Sequence, residues 1–245
     1  LDEIEDRQDA VSFGAMVTHT EAMPYLAAID HDLGELMRRF AGTQVRMAAT
    51  VCGNIANGSP IGDLPPALIA LGATLALQRG ERPRTLPLEN FFLDYGKQDR
   101  AAGEFVRLVR VPKFGPDERF RCYKISKRFD SDISAVMGAF KLRLDGLRIA
   151  GARIAFGGMA TIPKRARVTE RALIEKRLDR PQDWDRAIAA LAQDFVPIDD
   201  MRASAKYRID AARALLRRAL TEIGGTSTHQ TRVVGIREAA GVGTA

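Results

Sequence analysis

The hydrophobic repeat changes period partway along the chain, and that change excludes any architecture built from one kind of element. Glu104–Val111, Arg119–Lys127, Ser134–Leu144 and Leu147–Phe156 alternate apolar with polar residues, and an Asp145-Gly146 pair joins the last two. Alternation around Asp-Gly is the signature of antiparallel strands turning through a tight hairpin. From Val168 the apolar residues recur every three or four positions instead, in TERALIEKRL, WDRAIAALAQDF and SAKYRIDAARALLRRALTEI. The spacing predicts three helices covering one face of a strand meander. Gly224-Gly225 should stop the last helix, and 225–245, which has no sustained amphipathic face, reads as a flexible tail.

The first half mixes both periods. VSFGAMVT reads as a strand, and Glu21–Phe40 carries Leu26, Ile29, Leu33, Leu36, Met37 and Phe40 at helical spacing. Two helices are expected there, the second capped by Asp30 or Asp32, with Pro24 in the first turn of the first, where a missing N–H costs nothing. Val45–Asp63 is too rich in glycine for a helix interior and reads as a strand feeding an extended loop. Leu64–Gly72 should close as a short helix with Pro65 and Pro66 in its first turn, and Ala73–Gln78 should pair through Gly80 with Arg84–Leu88. KFGPDER, flanked by Pro112, marks a boundary between a domain at 1–112 and another at 117–224. The fold class is α+β, with no internal repeat.

Composition narrows the function. With 46% hydrophobic and 28% charged residues in 245, the chain has the make-up of a globular protein. No run approaches the roughly 20 apolar residues that span a bilayer, and the opening LDEIEDRQDA is acidic, unlike a secretory signal. A soluble, cytoplasmic protein is expected, and the start at Leu1 reads as that of a fragment or processed chain. The net charge of +6 comes from arginines scattered among acids and not interleaved with aromatics, so no nucleic-acid partner is expected. Two cysteines, Cys52 and Cys122, supply neither a CxxC pair nor the four thiolates of an iron–sulfur cluster. His19, His31 and His229 lack ligand spacing and read as surface or capping residues, so no metal site is expected. Cys52 reads as a small buried filler, and Trp184 as a core residue.

The window richest in chemistry is Thr50–Asp63, TVCGNIANGSPIGD. One reading is a structural loop with turn glycines. The other is a phosphate cradle: Gly53, Gly58 and Gly62 let the backbone approach a pyrophosphate, backbone N–H groups and Thr50, Asn54 and Ser59 donate, and Asp63 accepts from a ribose or ribityl hydroxyl. Neither the Walker pattern nor the Rossmann fingerprint is present.

FAGTQVRMAATVCGNIANGSPIGDLPPALIALGATLAL resembles the second flavin loop of the molybdenum hydroxylase flavoproteins, most narrowly the small FAD-carrying subunit of bacterial xanthine dehydrogenases. Its Ser-Pro-Ile-Gly-Asp stands where the carbon monoxide dehydrogenase branch has an Asp-Pro-Ala-x-Asp phrase. NFFLDYGKQ, RCYKISKRFDSDIS and FGGMATIPKRA resemble further segments of that family in the same order, so the likeness runs from Ser12 to about Ile223.

The resemblance implies the second subdomain of a PCMH-type FAD-binding domain followed by a C-terminal domain of antiparallel strands packed with three helices. It implies that Phe40 packs beside the flavin, that Thr50, Gly53, Asn54, Ser59 and Asp63 contact FAD, that Lys124 approaches the flavin and that Val106 lines the site. Tyr95 would lie where NAD enters, with Arg128, Asp130 and Asp132 on a loop bordering the same face, one residue longer than in relatives. Without the family, Phe40 reads as a core aromatic and Lys124 as a solvent-facing strand residue. In such proteins, electrons from purine oxidation at a molybdenum cofactor on a large partner subunit pass through two [2Fe–2S] clusters and FAD to NAD, within a hetero-oligomer. The iron–sulfur region and a first flavin subdomain are expected ahead of Leu1. The enzyme-class alternative is a molybdenum hydroxylase acting on an aldehyde, carbon monoxide or an aromatic acyl-CoA; another is a non-catalytic assembly module.

Overall fold

The computed structural model describes residues 1–225, so the tail expected at 225–245 lies, beyond Gly225, outside the described residues. Strands β1 (Ile4–Asp6) and β2 (Ala10–Gly14) open the chain. Helices α1 (His19–Ile29), α2 (His31–Arg39), α3 (Thr43–Ala48), α4 (Val51–Asn57) and α5 (Leu64–Leu71) follow. Then come β3 (Thr74–Arg79), β4 (Arg82–Pro87), a small hairpin of β5 (Phe92–Asp94) and β6 (Lys97–Gln98), and β7 (Phe105–Pro112). An antiparallel sheet in the order β1-β2-β7-β3-β4 results, with Val11 opposite Val111 and Leu75 opposite Val109 in its core.

The second part is β8 (Glu118–Ile125), β9 (Val136–Asp145), β10 (Arg148–Gly157) and the short β11 (Lys164–Arg165), an antiparallel sheet ordered β11-β10-β9-β8. Asp145-Gly146 turns β9 into β10, as its sequence predicts. Helices α6 (Arg167–Leu173), α7 (Asp185–Ala189), α8 (Leu191–Asp194) and α9 (Ala205–Ile223) follow, and Gly224 caps the last. The mixed α+β architecture expected from the change of period is the one observed.

This second sheet is buried on both faces, and the period of two sorts its residues between two cores. Val136, Phe140 and Leu142 join Ile154 and Phe156 under α6–α9. Met137 and Ala139, with Phe120, Cys122 and Ala155, face the first part of the chain and merge with its core, beneath α5 and α2. The two parts therefore share a continuous apolar interface along β8–β10.

Five expectations fail locally, the first being that WDRAIAALAQDF is one helix: it breaks at Ala190 into α7 and α8, so four helices stand where three were expected. Val45–Asp63 is not a strand and an extended loop but α3, α4 and a turn. Thr50 Oγ1 accepts the Gly53 N–H at 3.0 Å, and Val51, Cys52 and Ile55 bury one helical face, so capping and packing outweigh the low propensity of Gly53. Pro24 lies inside α1, not in its first turn, because a reciprocal capping box between Thr18 and Glu21 starts the helix earlier. TERALIEKRL is helical only to Leu173, since Lys176 and Leu178 carry the chain back as an extended edge along Leu147 and Ile149. His19 is fully buried rather than a surface residue, though it does occupy the first helical position after the Thr18 cap.

No helix of the described residues is long and apolar enough to cross a membrane.

Candidate flavin-binding site

At the junction of the two parts, Asp63 lies beneath the first turn of α5, 5% exposed. Its carboxylate does not cap that helix. Instead Oδ2 accepts from Lys124 Nζ on β8 at 2.5 Å, and Oδ1 accepts from Ser134 Oγ, ahead of β9, also at 2.5 Å. Lys124 and Ser134 are themselves buried, so the strand alternation aims this lysine into the interface and not at solvent. A buried carboxylate with a single cation and a hydroxyl is costly to assemble and costlier to leave half-made. The geometry thus joins Asp63 and Lys124, two residues 61 positions apart that sequence reasoning singled out separately, and adds Ser134, which carried no signal of its own.

The glycine-rich window gives this cluster its neighbours. Most of its backbone donors are already committed: Gly53 to Thr50 Oγ1, Asn54 to the Thr50 carbonyl, Gly58 to the Ile55 carbonyl, Ile61 to Ser59 Oγ and Gly62 to the Ser59 carbonyl. The cradle of free backbone N–H groups expected at these positions is therefore absent, because a helix and a turn consume them. The side chains remain available. Thr50 and Ser59 use their oxygens as acceptors, which leaves each hydroxyl proton free to donate. Asn54 lies one turn beyond Thr50 on the same side of α4, and its Oδ1 is buried without a hydrogen-bond partner among the described residues. A buried orphan acceptor beside a free hydroxyl donor fits a ligand that itself carries hydroxyls, as the ribityl and ribose parts of FAD do.

Phe40 ends α2 in an extended conformation and is half-buried, its ring centroid 4.6 Å from that of His19. Arg46 Nη1 donates to the carbonyls of Phe40 and Ala41, both at 2.6 Å, fixing the chain where the helix stops. Burial, with Arg46 nearby, pushes the His19 imidazole down to about 4, so it is neutral at pH 7. Arg39 donates to the Lys124 carbonyl at 3.2 Å and to the Phe129 carbonyl at 2.9 Å, tying α2 to the segment after β8. His19, Arg39, Arg46 and Ser134 escape a sequence reading because nothing in their neighbourhoods distinguishes them from helix-terminal or turn residues.

The remaining candidates stand on other segments. Val106 is buried opposite Leu77 in the five-stranded sheet. Tyr95 is exposed at the tip of the β5–β6 hairpin. Arg128 pairs with Asp132 at 3.4 Å on the exposed loop, and Asp130 reaches Arg38 at 3.7 Å. Cys52 is buried, and burial pushes its thiol up to about 12, so it supplies no nucleophile. No group of three or more metal-ligating side chains occurs among the described residues. With the histidine neutral, the carboxylate paired and the thiol inert, these side chains can bind and orient but cannot themselves carry out redox chemistry.

Residues 1–114 match the FAD binding domain in molybdopterin dehydrogenase, and residues 121–223 match the CO dehydrogenase flavoprotein C-terminal domain. A nicotinate hydroxylase of Emericella nidulans is 34% identical over 194 residues, which are 77% of this chain and 14% of that protein. A xanthine dehydrogenase of the same organism is 34% identical over 161 residues, 65% of this chain and 12% of that protein. The chain thus spans about one seventh of the length of these curated relatives. Among solved structures, a reconstituted CO dehydrogenase from Oligotropha carboxidovorans superposes with a TM-score of 0.83 at 27% identity, covering 93% of this chain and 79% of that one.

Proposed function

Because this chain is an FAD-binding domain of the molybdenum hydroxylase family joined to a CO dehydrogenase flavoprotein C-terminal domain, we infer that it is the flavin-holding part of a xanthine dehydrogenase. The whole protein would pass electrons from [2Fe–2S] clusters through FAD to NAD while hypoxanthine and xanthine are oxidised to urate. It would do so as a cytoplasmic hetero-oligomer whose large subunit holds the molybdenum cofactor. FAD, when bound, supplies the one- and two-electron chemistry that no side chain here can supply.

The chain's own residues bind and orient. Thr50 and Ser59 would donate their hydroxyl protons, and Asn54 Oδ1 would accept from a flavin hydroxyl. Gly53, exposed on the same side of α4, leaves room for close approach. Asp63 and Lys124 would hold a fixed pair of charges at the flavin, while Phe40 and Val106 would wall it with apolar surface. Tyr95, Arg128, Asp130 and Asp132 would border the face that NAD approaches. The observation that carries this reading is the buried Asp63–Lys124–Ser134 cluster, which exists only because both domains contribute to it.

The equal identity of the nicotinate hydroxylase relative and the close superposition on CO dehydrogenase favour, as the second reading, a flavin part serving another molybdenum hydroxylase. Two measurements decide. The natively expressed protein, purified with its partners, should reduce NAD with hypoxanthine and contain about four irons per flavin, as two [2Fe–2S] clusters supply. Activity with nicotinate, an aldehyde or carbon monoxide in place of purines would overturn the substrate. Asp63→Ala should lose most of the bound FAD with assembly intact, whereas unchanged flavin content would favour a non-catalytic assembly module.

A further inference from the structure

Arg208, in the second turn of α9, is 2% exposed and far in sequence from every residue of the candidate site. Its Nη1 donates to two carbonyls at once, Ala135 at 2.5 Å and Gly158 at 2.8 Å, and Nη2 lies 2.7 Å from Asp200 Oδ1. Asp200 lies in the segment leading to α9. Burial works against its ionisation, yet the N–H groups of Arg202 and Ala203, with Arg208, hold its carboxyl below the ordinary range. A buried guanidinium is expensive to desolvate, and one paired carboxylate does not make it a cheap stabiliser.

What this arginine joins is specific. Ala135 follows Ser134, whose hydroxyl donates to Asp63, and the Ala135 N–H donates to the carbonyl of Ile125, next to Lys124. Gly158 donates its own N–H to the Pro60 carbonyl at 2.8 Å, within the turn that leads to Asp63. At Gly158, φ is +79° and a Cβ would meet the Ala135 oxygen at 2.4 Å, so only glycine allows the two carbonyls to converge on one guanidinium. One side chain therefore sets the spacing of the three backbone segments that deliver Asp63, Lys124 and Ser134.

We propose that Arg208 is a positioning residue for the flavin site, acting through the Ala135 and Gly158 carbonyls to hold Ser134 and Lys124 in register with Asp63. This rests on the reading of that cluster as flavin-binding. Arg208→Lys keeps the charge, but one ammonium would have to replace both Nη1 on the two carbonyls and Nη2 beside Asp200, and it lacks the rigid spacing of two nitrogens that holds all three partners at once. In the natively expressed protein, Arg208→Lys should weaken FAD binding about tenfold and move the flavin midpoint potential. The Arg208→Lys/Ser134→Ala double variant should bind no more weakly than the weaker single variant, because both act through the same segment. Unchanged FAD affinity and potential in Arg208→Lys, with FAD lost from Asp63→Ala, would leave Arg208 a purely structural residue and overturn the proposal. FAD retained in Asp63→Ala would remove the flavin reading itself, and the proposal with it. If Arg208→Lys does not fold, Asp200→Asn, which strips the counter-ion from the outer side, is measured in its place. Several-fold weaker FAD binding is then expected, and affinity equal to the wild type would overturn the proposal.

Discussion

His19 shows how much a single residue can hide. In sequence it is an isolated histidine after a capping threonine; in the fold it is fully buried against Phe40, with both ring nitrogens lacking a hydrogen-bond partner among the described residues. Burial, reinforced by Arg46, depresses its pKa from 6.5 to about 4, so folding favours the neutral ring. The stabilisation that follows is complete above pH 6.5 and is lost as the pH falls from 6.5 to about 4, because the unfolded chain binds the proton more readily. The loss amounts to about 3 kcal/mol. Urea unfolding should show the wild type losing about 3 kcal/mol more stability between pH 7 and pH 4 than His19→Phe loses. Equal pH dependence in the two would show that other groups carry the acid sensitivity. Lys124 makes the companion case: its alternation in β8 was readable, but which face of that strand is buried was not, and so neither was its partner.

At the scale of an element, α4 is the instructive failure of local propensity. Glycines at 53 and 58 argue for a loop, yet Thr50 caps the helix and Gly58, with φ of +66°, ends it in the left-handed conformation. Gln98 Nε2 reaches from β6 to the Ala56 carbonyl at 2.7 Å and lies 2.4 Å from where a Cβ on Gly58 would stand. Gly58→Ala should therefore lose the left-handed preference, about 1–2 kcal/mol, and also disturb the Gln98 clamp. Gly80 has φ of +54° with nothing within 4 Å, so Gly80→Ala pays only for the backbone. Thermal unfolding should place Gly58→Ala clearly below Gly80→Ala, and equal midpoints would show that the clamp contributes nothing. By contrast, α5, with prolines in its first turn and Gly72 at its end, and the β9–β10 hairpin were legible because their punctuation is local.

For the molecule as a whole, the junction between the two parts decides the site. Besides the apolar interface, Glu89, just after β4, accepts from Arg153, Arg165 and Arg167 of the second part, and Arg153 also donates to the Ile69 carbonyl at the end of α5. Glu89 is only 15% exposed, so its removal leaves the partly buried Arg153 without a carboxylate partner and Arg165 with Glu170 alone. Glu89→Gln should cost about 3 kcal/mol and speed amide exchange in the last turn of α5. A loss below about 1 kcal/mol, the range of an exposed pair, would show that apolar contact alone joins the parts.

The amino-acid sequence by itself determined the α+β class, the hairpin, the long last helix and the window where Thr50, Asn54, Ser59 and Asp63 stand, because periodicity, capping and turn chemistry act over a few residues. The tertiary structure alone decided that the glycine-rich window is a helix and a turn, that Lys124 and Ser134 meet Asp63, and that His19 and Arg208 are buried. Those outcomes depend on which faces are covered by segments tens of residues away, and no local pattern encodes the partner across such a gap.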